Sequence, residues 1–60
     1  MTYEIHKHFY GSNKREEFGG GFSAEEVKDY LKGFKVTENY GDIKTYTRKN
    51  CKYYYIVIAE

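Results

Sequence analysis

The chain has one cysteine, Cys51, so no internal disulfide can staple it. Its longest apolar run is the seven residues 53–59, well short of the roughly 20 that a membrane-spanning helix needs. Residues 1–22 begin at Met1 and are interrupted by Lys7, Lys14, Arg15, Glu16 and Glu17, which leaves no apolar stretch for a signal peptide. Net charge is only +1, less than strong nucleic-acid binders usually carry. These absences predict a soluble, cytoplasmic chain with no membrane segment. A lone thiol fits a reducing compartment.

What is present is small and aromatic. Sixty residues make a single domain, 1–60. A chain this size buries only about 60% of its unfolded surface, so its stability is marginal without help. Small domains take that help from disulfides, metals or partner subunits. Aromatics form 20% of the chain, eight of them tyrosine, which points to an aromatic core or to self-association. Tyrosine joins a large apolar ring to a wet end and suits interfaces.

Tyr53 to Ala59 is apolar or aromatic on both faces of a strand. That pattern predicts a central strand. Thr2 to Tyr10 alternates, with Tyr3, Ile5, Lys7 and Phe9 on one face and Glu4, His6, His8 and Tyr10 on the other. Gly11-Ser12-Asn13 is a turn, and Lys14 to Phe18 is expected as a short edge strand. Gly19-Gly20-Gly21 is expected as a flexible joint. Ser23-Ala24-Glu25-Glu26 is a capping box, with Phe22 and Val27 as its staple. Val27, Tyr30, Leu31 and Phe34 form one helical stripe, and Gly33 stops the helix. A helix of about ten residues is too short to stand alone and must lie on a sheet. Phe34 to Tyr40 and Ile43 to Arg48 are two further strands.

The predicted fold class is α+β: two layers, a mostly antiparallel sheet of four or five strands, and one short helix packed on one face, in ββαβββ order. One helix covers one face at most. The other would leave tyrosines and Val57 or Ile58 in the open, and exposed apolar patches mark interfaces. A homodimer is the simplest cover.

No catalytic constellation stands out. Glu4, His6 and His8 share a strand face and are weak metal candidates; a polar, solvated face is the plainer reading. Cys51 lies between Lys49 and Lys52, but nothing places a base beside it. The glycine run lacks a following Lys-Ser/Thr pair and precedes two glutamates, so it is no phosphate loop. Lys32-Gly33-Phe34 matches three positions of the RNA-recognition-motif signature and then departs from it. No cofactor is implied.

Charge is uneven. Residues 1–22 are neutral, 23–42 sum to −2, and 43–60 sum to +3. The expected function is non-enzymatic: a protein-binding module, a regulator or inhibitor of the kind that phages and mobile elements encode, docking a tyrosine-rich sheet face or edge strand. Tyr46, Arg48, Lys49, Tyr53 and Tyr55 are the expected partner-binding residues, with Tyr46, Arg48 and Tyr55 as anchors on the uncovered face. The alternative is nucleic-acid binding through the basic aromatic hairpin 43–55, where cations adjoin aromatic platforms.

Overall fold

The last strand is the centre of the sheet. In the computed structural model, which describes residues 1–60, the elements are β1 (Tyr3–Phe9), β2 (Arg15–Phe22), α1 (Ala24–Tyr30), β3 (Lys35–Tyr40), β4 (Ile43–Thr47) and β5 (Tyr53–Ala59). One five-stranded sheet runs in the order β2-β1-β5-β4-β3. Every neighbouring pair is antiparallel. β5 therefore pairs on both sides, as its two apolar faces require.

The expected fold class is corrected here. A helix of about ten residues forming a layer over the sheet gives way to a chain that is chiefly β, a five-stranded sheet with a helix of seven residues. That is about two turns. The helix lies near β1 and β2, at one side of the sheet, with no helix over β3 and β4. Its periodicity overstates its length because Leu31 already leaves helical geometry as the C-cap, and Gly33 turns the chain at φ +92°. Phe34 then packs on the same core from outside the helix.

Two further expectations are corrected in the same region. The edge strand expected over Lys14 to Phe18 runs on through the glycines to Phe22. Gly19-Gly20-Gly21 is thus part of a strand rather than a joint. The register against β1 slips twice near Ile5, and Gly19 and Gly21 take φ of +103° and +78°. Glycine accepts such bulge conformations without strain. A side chain at Gly20 would meet the Glu60 carboxylate at 2.8 Å.

The capping box closes as expected. Glu26 N–H donates to Ser23 Oγ at 3.1 Å, and Ser23 N–H donates to Glu26 Oε1 at 3.0 Å. Val27 of the helix and its C-cap Leu31 are buried against Ile5, Tyr55 and Val57. These five residues are the whole buried apolar core. Phe18, Phe22, Phe34, Tyr46 and Tyr53 pack around it.

Candidate functional site

Register assigns the sheet faces. Ile5 pairs with Val57, Lys7 with Tyr55, and Phe9 with Tyr53. Tyr46 pairs with Tyr55. All of these share the face that carries the helix. Tyr46, Arg48 and Tyr55, expected as anchors on the uncovered face, are therefore placed on the helix side. Tyr55 is only 8% exposed and belongs to the core. Its ring meets Phe34 at 5.0 Å and Tyr53 at 5.7 Å between centres, and burial pushes its phenol up from 10.0. Tyr46 lines a groove of about 450 Å³ with Val27, Leu31 and Phe34, between helix and β4. Arg48 stands over the Phe34 ring, 6.0 Å from its centre. Lys49 is exposed in the turn before β5.

The helix-free face is built of three cross-strand rows. Tyr40, Ile43, Ile58 and Glu4 align across the sheet. Glu38, Thr45, Ile56, His6 and Glu17 form the next row. Tyr54, His8 and Arg15 follow, with Lys35 and Thr47 at the same end. Tyr40 is 73% exposed and Ile43 43% exposed, while Ile56, Ile58 and Tyr54 are half-buried. No second layer stands over them. Carboxylates mark the apolar rows, and cations mark the far end.

Of the metal candidates, the structure brings two together. His6 Nε2 lies 3.3 Å from Glu4 Oε2. His6 is 7% exposed, and its Nδ1 is buried without a partner. The arrangement suits the tautomer with the proton on Nε2, which leaves a bare lone pair at Nδ1. His8 instead stacks on Tyr54, with ring centres 5.3 Å apart and planes at 19°. Burial first, then Arg15 and His6, hold its imidazole below the ordinary 6.5. No three His, Cys, Asp or Glu side chains converge to hold a metal ion.

The basic hairpin 43–55 was visible in the sequence; what sequence reasoning missed is that Lys7, Lys14 and Arg15 join its cations at one end of the sheet. Antiparallel pairing puts the end of β1, the start of β2 and the β4–β5 turn together. Tyr10 N–H donates to the Lys52 carbonyl at 3.1 Å and ties the two turns. Lys7, Arg48, Lys49 and Lys52 line a depression of about 720 Å³ with Phe9, Tyr53, Asn50 and Cys51, and no carboxylate lines it. Lys7 Nζ lies 4.1 Å from the Tyr53 ring centre and 5.1 Å from that of Phe9. Lys14 and Arg15 stand beside it around Tyr10, with Glu16 the one carboxylate of that hollow.

The charges of the molecule are kept apart. The His6–Glu4 contact is the only approach within 4 Å between a basic and an acidic group. Glu16 pairs with Lys7 in register, yet the Lys7 ammonium turns to the rings instead. Glu4, Asp42 and Glu60 lie toward the opposite end, where Glu60 accepts from Gly21 N–H at 2.8 Å.

No known protein family, curated protein or solved structure matches this chain. No helix is long and apolar enough to cross a membrane.

Proposed function

We propose that the chain is a non-enzymatic protein-binding module that acts as a regulator or inhibitor by laying its helix-free sheet face on a protein partner. One observation carries this reading. Tyr40, Ile43, Ile56, Ile58 and Tyr54 stand side by side with no layer over them. Contiguous exposed apolar surface on a small domain marks an interaction site. The face is favoured over the strand edges, because both edge strands carry register slips and charge: Arg15, Glu16 and Glu17 on β2, Lys35 and Glu38 on β3. Such features discourage strand addition.

Charge states what the partner must offer. Glu4, Glu17 and Glu38 border the apolar rows, so the complement is an apolar surface with a basic rim. A second copy turned end for end meets that need. Its Arg15 and Lys35 would lie toward the first copy's carboxylates, giving an isologous dimer.

Ile43→Lys tests the proposal at an exposed position that leaves the core untouched. Sedimentation over a range of concentrations, and capture by tagged protein from nuclease-treated lysate, are compared for the two proteins. The expected result is a wild-type dimer, or a discrete captured protein, that Ile43→Lys weakens at least ~10-fold, as loss of an apolar anchor does. A wild-type monomer at every concentration, with identical capture by both proteins, overturns the proposal.

A further inference from the structure

We infer that the basic end is a second binding surface, which takes the phosphodiester backbone of single-stranded nucleic acid and stacks a base on Tyr10. It adjoins the helix-free face, where Arg15 stands in the row of His8 and Tyr54 and the Tyr10 ring lies 4.9 Å from that of Tyr54. Lys7, Lys14, Arg15, Arg48, Lys49 and Lys52 come from three segments of the chain that meet only through the sheet register. None of them is within 4 Å of a carboxylate. Six cations gathered at one end, against the single nearby carboxylate of Glu16, leave it net positive, and an incoming polyanion relieves their repulsion while releasing its own counterions.

Two of the six cations are also held in place. Lys7 sits over the Tyr53 and Phe9 rings, and Arg48 over Phe34. A cation resting on a ring face loses part of its hydration and much of its freedom, so less is lost when it meets a phosphate. From Arg15 on β2 to Arg48 after β4 the surface crosses three strand spacings, about 14 Å in all. A single phosphate cannot bridge that span, but successive phosphates of one strand can.

Tyr10 distinguishes a nucleic acid from a merely acidic protein. Its ring is 55% exposed, lies 4.9 Å from the Tyr54 ring, and stands in a hollow with Phe9, Lys14, Arg15, Lys52 and the single carboxylate of Glu16. An exposed aromatic face flanked by cations serves a stacked base with phosphates on either side. An acidic peptide has no flat group for that ring. The end presents no helix to the major groove of a duplex.

The test is fluorescence anisotropy with labelled oligothymidylate, longer than the ~4–16 nucleotides such sites cover, and with labelled polyglutamate as the acidic-protein probe. Wild-type protein should bind the oligonucleotide, and affinity should fall as salt rises. Lys7→Gln/Arg48→Gln/Lys52→Gln should weaken binding at least ~10-fold and make the log–log salt slope shallower by about 2, since each lost phosphate contact removes about 0.7. Lys49→Gln/Lys52→Gln, confined to exposed turn positions, repeats the test if the triple variant fails to fold. Tyr10→Ala should weaken binding about 10-fold while leaving the slope unchanged. No binding at ~100 µM protein and ~50 mM salt overturns the inference. So does polyglutamate binding of equal strength that is indifferent to Tyr10→Ala, which would assign the end to an acidic protein.

Discussion

His8 shows how a single side chain reports its surroundings. It stacks on Tyr54, faces Arg15 across the strand pair, and has His6 two residues away on the same face. Burial and those two neighbours disfavour its charged form and hold its pKa below 6.5. In the unfolded chain His8 takes its proton near 6.5, whereas in the fold it resists until lower pH. The unfolded state binds more protons in that window, so this contribution to stability is whole above 6.5 and is lost as pH falls through it. The melting temperature should therefore drop between about pH 7 and pH 5, and His8→Asn should flatten that slope in thermal melts followed by circular dichroism. That His6 and His8 share a face was legible from period-two alternation. What lay opposite was not, because Arg15, Ile56 and Tyr54 reach them only through register. The same gap misplaced Tyr55, whose spacing marks a strand face but not which face the helix covers.

Among the elements, α1 depends most on a local device. With seven residues it has too few internal hydrogen bonds to hold itself, and both halves of its capping box are closed. Ser23→Ala should cost about 1 kcal/mol, which lowers the melting temperature by roughly 4–8 °C in a domain this small. Ser23→Asp should restore most of it, since aspartate caps as well. The helix start was legible because a capping box is written in consecutive residues. Its end was not: Leu31 and Phe34 keep the apolar spacing after the backbone has left the helix, and the Phe34 ring still reaches Tyr55. β2 was half legible. Glycines carry no side-chain pattern, so their strand is visible only in the pairing of Gly19 with Ile5 and of Phe22 with Tyr3.

At the scale of the whole molecule, the core is its narrowest resource. Five buried apolar residues hold a sheet of five strands and a helix. A core in a chain this short rarely supplies more than about 3–5 kcal/mol. Leu31→Ala removes about 2–5 kcal/mol, so the two quantities are of one size and the variant should be largely unfolded. Loss of amide dispersion in a proton NMR spectrum checks this; a folded Leu31→Ala would mean that the surrounding rings stabilise the chain more than its buried core does. The net charge of +1 and the basic segment 43–60 were legible at once, but the cations of residues 7–15 that join it were not. Lys7 and Arg48 are neighbours only because β1 and β5 pair, and no local window contains both. That pairing also sets an order of events. β5 is the last element of the six to be synthesised, yet both halves of the sheet wait for it. Before it emerges, a growing chain can form only the β1–β2 and β3–β4 hairpins, each marginal in water. Tyr3 must then find Ala59 across almost the entire chain. Closing such distant contacts is slow, and folding on the millisecond-to-second scale of non-local β proteins is the outcome for a chain whose length alone would suggest microseconds.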